Sequence, residues 1–138
     1  MRVVISVVRN GSRFLIVRRA KPISGLQWHF PGGKQKTRES EQHAAERETL
    51  EETSIVCKAV EKIGERVHPQ TNVNVSYWIC EYVSGQPKAK YDEVGDLRWV
   101  TGKEALQTFT TDVYKPLATV LDVSKPARLL YASKSCIR

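Results

Sequence analysis

The chain has 138 residues, 27% of them charged and 41% hydrophobic, with a formal net charge of +7. That is enough chain for one domain with a buried core, and the composition suits a globular protein rather than a disordered or fibrous one. No apolar run approaches a membrane span. The run at residues 3–8 is too short for a signal-peptide core. Cys57, Cys80 and Cys136 are odd in number with no metal spacing, which reads as reduced thiols in a cytoplasmic protein without zinc.

In chain order, residues 3–8 form a buried strand, and Asn10-Gly11 turns it into a return strand over 13–18. Arg18 and Arg19 end that strand, and residues 22–27 form a loop. Trp28-His29-Phe30-Pro31-Gly32-Gly33-Lys34 follows. Its paired glycines let backbone approach a metal or phosphate closely, and Lys34 offers phosphate a point charge. Phe30 belongs to the core, Trp28 packs there or flanks a base, and His29 is a bystander. Ser40 then caps a helix rich in good helix formers and free of Pro and Gly. On it Glu48, Glu51 and Glu52 stand at i, i+3 and i+4, which stacks three carboxylates on one face. Alone they repel. A hard divalent cation, Mg²⁺ or Mn²⁺, would turn that repulsion into a site.

After the helix, residues 55–67 form a strand with Glu61, Lys62 and Glu65 on its wet face, and 68–72 form a turn. Residues 72–83 carry bulk on both sides, which predicts a central strand covered on both faces. Residues 84–92 are a polar loop and 97–100 a short strand. Thr101 with Glu104 forms a capping box for a helix over 101–106. A last helix spans 110–120, capped by Thr111 or Asp112, with Pro116 tolerated in its first turn. Residues 124–138 carry four basic residues and no acid, which suits a mobile tail or a homodimer contact.

Charge is uneven along the chain. Residues 1–38 hold nine Lys/Arg and no Asp or Glu, whereas residues 39–53 hold six Glu against one Arg. An acidic strip in a basic surround suits an anionic ligand bridged by cations. A nucleic-acid surface is the competing reading, but the basic residues are scattered and no nucleic-acid-binding motif is present.

The spacing of Gly33, Glu39, Arg47-Glu48 and Glu51-Glu52 resembles the Nudix box, G-x5-E-x7-R-E-U-x-E-E-x-G-U, with U an aliphatic residue. Ile55 also fits. Thr49 stands in place of the aliphatic residue and Ser54 in place of Gly. Thr keeps the size, but Ser lacks the easy left-handed conformation of Gly. Residues 28–34 look like the W-x-F-P-G-G-K segment that leads into the box in many Nudix hydrolases. The resemblance covers residues 2–122. It implies an α/β Nudix fold, an α/β/α sandwich with a mixed β-sheet and the Nudix loop–helix.

The resemblance also implies a MutT-like activity: metal-dependent hydrolysis of a nucleoside diphosphate linked to another group. A nucleoside triphosphate would give the monophosphate and pyrophosphate. On the same basis Glu48, Glu51, Glu52, the Gly32 carbonyl and Glu93 hold Mg²⁺, with Mn²⁺ able to substitute. Asp92 and Asp96 are alternatives to Glu93. Glu48 takes the water proton, Arg47 braces the carboxylates and Glu39 anchors the loop–helix junction. Arg19 lies beside the nucleotide, and Lys34, Trp28 and Tyr114 complete the substrate contacts. Tyr114 stands where MutT-like enzymes that recognise an oxidised guanine place an Asn, which argues against strict 8-oxo-dGTP specificity. It either stacks on a base or packs. Two further readings stay open: an RNA 5′-end pyrophosphohydrolase and a non-catalytic nucleotide-sensing module. The complete Glu set disfavours the latter.

Overall fold

The computed structural model describes residues 1–23, 26–89, 94–109 and 113–121. The elements are β1 (Arg2–Asn10), β2 (Arg13–Ile23), β3 (Leu26–His29), β4 (Gly32–Lys34), α1 (Glu41–Thr53), β5 (Val56–Val67), β6 (Asn74–Ser84), β7 (Val94–Thr101), α2 (Gly102–Thr108) and α3 (Lys115–Leu121). Among the described residues the strands make one seven-stranded sheet in the order β3-β2-β1-β6-β5, with β4 also on β1 and β7 also on β2. It is mixed: β1 and β6 run parallel and the other pairs antiparallel.

The two faces of the sheet follow the period of two in β1. Val4 and Val8 join Leu15, Cys57, Ala59 and Cys80 under Ala44 and Ala45 of α1. Val7 turns the other way, with Ile16, Val75, Tyr77 and Val100, toward Ala105 of α2 and Leu117 and Leu121 of α3. The apolar run at the start of the chain is continuous because helices cover both faces. Each fully buried Val, Leu or Ile contributes about 1.5–3 kcal/mol. Strand β6 lies between β1 and β5, the central position that its bulk on both sides predicts.

A split hairpin positions the site. Strands β1 and β2 pair only next to their turn, at Arg9↔Phe14 and Asn10↔Arg13. Beyond that they part. Strand β4 takes the edge that β1 presents, with Val4 opposite Gly33 and Ile5 opposite Gly32. Strand β3 takes the edge of β2, with Val17 opposite His29. The Ser6 N–H donates to Pro31 O at 2.8 Å, which ties down the corner between β3 and β4. The glycine pair thus passes through the middle of the sheet and emerges beside α1.

Several expected boundaries shift. The segment read as a loop over 22–27 is mostly strand. Strand β2 continues to Ile23, and β3 resumes at Leu26 opposite it. Pro22 is compatible with this because β7 pairs with β2 only as far as Arg19, so one edge of β2 has no further ladder partner among the described residues. Strand β7 is longer than residues 97–100 and starts at Val94. Helix α3 begins at Lys115, so Pro116 sits in its first turn as expected, while Thr111 and Asp112 lie outside the described residues. The capping box of α2 forms, with Glu104 N–H to Thr101 Oγ1 at 3.1 Å and Thr101 N–H to Glu104 Oε1 at 2.8 Å. Residues 124–138, with Cys136 and the basic tail, also lie outside the described residues. Cys57 and Cys80 are buried free thiols.

Candidate active site

Helix α1 carries the site because one face is buried and the other is charged. Ala44, Ala45, Thr49 and Thr53 are buried, and Ser6 Oγ donates to Ala45 O at 2.9 Å, which fixes the helix on β1. Thr49, the departure from an aliphatic residue, is wholly buried, and its hydroxyl donates to Ala45 O at 2.8 Å. The packing role therefore survives with its polar atom satisfied. Ser40 Oγ accepts from His43 N–H at 3.1 Å as the N-cap.

Arg47 is the hub of the charged face. Its Nε and Nη2 donate to the two oxygens of Glu39 at 2.7 and 2.9 Å. This is the bidentate geometry that only Arg supplies. Nη1 donates to Glu48 at 2.9 Å and to Glu51 at 3.1 Å, and Nη2 also donates to Lys34 O at 3.0 Å. Glu39 further accepts from Lys36 N–H at 2.9 Å and lies 2.6 Å from His43 Nδ1. The Arg47 guanidinium holds the Glu39 carboxyl well below the usual carboxylate range, and Glu39 in turn holds Arg47 above its ordinary value. One side chain thus joins the loop before the helix to two carboxylates on it.

The three helical carboxylates differ in exposure. Glu52 is 6% exposed, Glu48 is 16% exposed at its side chain, and Glu51 is 46% exposed. Gly32 N–H points at Glu52 Oε1 at 3.5 Å, too long for a strong bond. A Cβ on Gly33 would overlap the Glu48 carboxyl group, so the glycine is what lets that carboxylate lie against the β4 backbone. Among the described residues no three His, Cys, Asp or Glu side chains converge into a ready metal cluster; Glu48 and Glu51 are both engaged by Arg47. The donor set itself is all oxygen, which suits a hard divalent ion rather than zinc or copper. Glu93 lies outside the described residues.

On the face of the sheet opposite α1 a cavity of about 250 Å³ opens. It brings together three of the four expected substrate-contacting residues, Arg19, Trp28 and Tyr114. Lys34 is exposed and does not line it. Tyr114 stacks on Tyr77, centroids 4.7 Å apart at 19°, with the Arg66 guanidinium 5.2 Å from its ring. One ring face of Tyr114 is therefore already used. Trp28 lies under Arg98, 4.7 Å from its centroid. Phe30 is buried core, as expected, edge-on to Phe109. His29 and Arg66 also line the cavity. Arg66 sits on the edge strand β5 and carries no periodic or motif signal of its own. His29 was visible inside the W-x-F-P-G-G-K segment but at its variable position. Burial lowers the His29 imidazole from 6.5 to about 4, against the hydrogen bond to Phe30 O, and the nearby Arg19 charge lowers it further.

The cavity and the carboxylates are joined by one short segment. Residues His29 and Phe30 line the cavity, and Gly32 and Gly33 reach Glu52 and Glu48.

Comparison with known proteins gives a consistent picture. A model of the NUDIX domain matches residues 1–120. A protein of Bacillus subtilis (strain 168) named "Putative 8-oxo-dGTP diphosphatase" is 30% identical over 95 residues, 69% of this chain and 62% of that protein. An 8-oxo-dGTP diphosphatase of Buchnera aphidicola subsp. Acyrthosiphon pisum (strain APS) is 32% identical over 62 residues, 44% of this chain and 50% of that protein. The match thus spans less than two thirds of either curated relative. Among solved structures, the MutT protein from Methanosarcina mazei Go1 superposes with a TM-score of 0.70 at 26% identity, covering 90% of this chain and 94% of that one. The mixed sheet between helices is shared with it.

Proposed function

Because this chain belongs to the Nudix family, its NUDIX domain filling residues 1–120, we propose that it is a divalent-metal-dependent pyrophosphohydrolase. Its substrate is a nucleoside triphosphate or another nucleoside diphosphate linked to a group X. The products are the nucleoside monophosphate and pyrophosphate or X-phosphate. Hydrolases of the family generally use divalent metal ions. The observation that carries the reading is the Arg47 hub, which braces Glu39, Glu48 and Glu51 next to a glycine pair leading directly to an aromatic, arginine-bearing cavity.

Glu48, Glu51, Glu52 and the Gly32 carbonyl are the residues that would hold Mg²⁺ or Mn²⁺, with Glu93 as a further ligand. A bound ion supplies charge neutralisation of the diphosphate and a lowered pKa for the attacking water. Arg47 keeps Glu48 and Glu51 oriented and prevents their mutual repulsion from fraying the helix. Glu48 takes the proton as water oxygen bonds to phosphorus and the bridging P–O bond breaks. Lys34 and Arg19 answer the negative charge of the phosphates and the nucleotide. The curated relatives are named for 8-oxo-dGTP. Tyr114 occupies the place of the guanine-reading Asn, so the substrate is held at the class of nucleoside triphosphates rather than at that one nucleotide.

The test is product analysis by chromatography with purified protein and Mg²⁺. The panel holds common, oxidised and methylated nucleoside triphosphates, nucleotide sugars, dinucleoside polyphosphates and a triphosphorylated RNA. We expect a monophosphate and pyrophosphate from one or a few nucleoside triphosphates. Glu52→Gln should abolish that turnover with an unchanged far-UV CD spectrum. Retained turnover would remove Glu52 from the mechanism, and silence of the wild type across the panel would overturn the reading.

A further inference from the structure

His43 stands between Glu39 and Arg47, at one of the seven positions that the Nudix box leaves unspecified. It is the third residue of α1, and its backbone N–H donates to Ser40 Oγ as part of the N-cap. A capping box would place Glu or Gln there, to reach back to the backbone of the cap residue. The His43 ring reaches one residue further, and its Nδ1 lies 2.6 Å from Glu39 Oε2. An ionised carboxylate only accepts, so Nδ1 carries the proton and donates. A histidine in a first turn gains nothing from the helix dipole, which favours acids there. Glu39, rather than the helix, accounts for where this ring lies.

Glu39 Oε2 accepts from Arg47 Nε at 2.7 Å as well as from His43, while Oε1 accepts from Arg47 Nη2 and the Lys36 N–H, both at 2.9 Å. Each oxygen has two donors, which fills the roughly four acceptor sites of a carboxylate. The Glu39 side chain is 6% exposed and that of His43 65%, so the ring is the water-facing member of the pair. With Nε and Nη2 held on Glu39, Arg47 has Nη1 left for Glu48 and Glu51. We infer that His43 is a positioning residue: by donating to Glu39 and screening it from water, it keeps the Arg47 guanidinium in the orientation that braces Glu48 and Glu51 for a divalent ion. Truncating the ring lets water reach the Glu39–Arg47 pair and weakens their attraction. The guanidinium is then free to turn its paired N–H groups onto Glu48 and Glu51, in competition with the ion. This deepens the pyrophosphohydrolase reading and rests on it for the metal site.

Two measurements need no turnover. Nitrogen-15 NMR of the metal-free protein, on the alkaline side of the ordinary histidine range, reads the tautomer of each imidazole, and the resonances lost in His43→Gln identify His43. We expect the Nδ1–H tautomer, and the Nε2–H tautomer would overturn the inference. Titration with Mn²⁺, followed by the EPR signal of the free ion, reads the metal site directly. Removing a group that touches a metal ligand costs about 10–100-fold, and His43 acts further out, so His43→Ala should weaken Mn²⁺ binding about three- to tenfold. In His43→Gln the amide donates to Glu39 across the same turn, so binding should stay within about twofold of the wild type. Both variants keep the backbone N–H of the cap, and their urea midpoints check that they fold. Unchanged Mn²⁺ affinity in His43→Ala, or the same loss in both variants, would overturn the inference. So would an undiminished effect of His43→Ala in a Glu39→Ala background, where the ring has no carboxylate to act through.

With a nucleoside triphosphate that the wild type turns over, at subsaturating Mg²⁺, His43→Ala should lower kcat about three- to tenfold and leave KM for the nucleotide within about twofold. A role confined to helix stability would move the urea midpoint and leave kcat where it was. Turnover with wild-type Mn²⁺ affinity in His43→Ala sinks the role of His43 alone. His43-dependent Mn²⁺ binding in a protein that hydrolyses nothing on the panel sinks the hydrolase reading and leaves the His43–Glu39–Arg47 brace standing.

Discussion

Glu39 is invisible to any argument that looks only for metal ligands, yet its carboxylate accepts from Arg47 twice and from the Lys36 N–H once. The bonds to Arg47 are the main cause of its depressed pKa. A carboxyl group depressed in the folded state contributes stability that is complete above its unfolded pKa of roughly 4.3 and fades as pH falls through the folded value. The wild type should therefore lose stability from about pH 5 downward. Glu39→Gln should start lower at pH 7, by roughly 1–3 kcal/mol, because it removes charged hydrogen bonds. Its Tm should then fall less steeply between pH 5 and 3. Parallel Tm curves for the two proteins would show that Glu39 is not held by Arg47 in solution.

At the scale of elements, the two departures from the Nudix pattern have different fates. Thr49 keeps its packing and bonds its hydroxyl to the helix. Ser54 is forced into the conformation that Gly supplies freely: φ 63°, ψ 14°, with its N–H donating to Leu50 O at 3.0 Å. A left-handed non-glycine residue costs roughly 1–2 kcal/mol, while glycine costs some 0.5–1 kcal/mol in unfolded-chain entropy. Ser54→Gly should therefore stabilise the protein by up to about 1 kcal/mol, read as a higher midpoint in urea with an unchanged m-value. A lower midpoint would mean that the Ser54 hydroxyl has a role of its own. Strand β4 gives the opposite case. Gly33 has no left-handed φ, but a Cβ there would overlap the Glu48 carboxyl. Gly33→Ala should keep the fold and displace Glu48, with turnover falling about 10- to 100-fold, as for other disturbed ligand supports. Full activity in Gly33→Ala would exclude a catalytic position of the Glu48 carboxyl against Gly33.

At the scale of the whole molecule, α1 and the sheet divide the labour. The carboxylates lie on the helix covering one face, the cavity on the other, and the split between β1 and β2 lets residues 29–33 connect them. The nine basic residues in the first 38 positions are scattered along the sequence rather than gathered in one run. A single nucleotide meets only a few of these charges. Raising salt from about 50 to 200 mM should thus raise KM for a nucleoside triphosphate by less than about tenfold. A loss of roughly 10³-fold or more for a triphosphorylated RNA would instead count many phosphates along a chain and favour the RNA-end reading. No described helix is long and apolar enough to cross a membrane.

The sequence alone determined the helix of the box, its N-cap and the face on which its carboxylates stand, because helix periodicity and capping are local. It also determined the α/β class and the central place of β6, which burial on both faces imposes on composition. The family was legible from the spacing of Gly33, Glu39, Arg47, Glu48, Glu51 and Glu52. Only the tertiary structure decided that residues 22–23 and 26–27 are strand, because Pro22 reads locally as a loop signal whereas β2 and β3 pair with each other at Ile23↔Leu26. Only it placed Arg19, His29, Arg66 and Tyr114 around one cavity, because those residues come from three strands and the start of a helix, and long-range pairing has no signature in any one of them. That Arg47 braces carboxylates was expected from the resemblance, but only the structure showed that it reaches Glu39, Glu48, Glu51 and the Lys34 carbonyl together. The register of a loop against a helix sets which carboxylates a guanidinium reaches, and spacing along the chain does not.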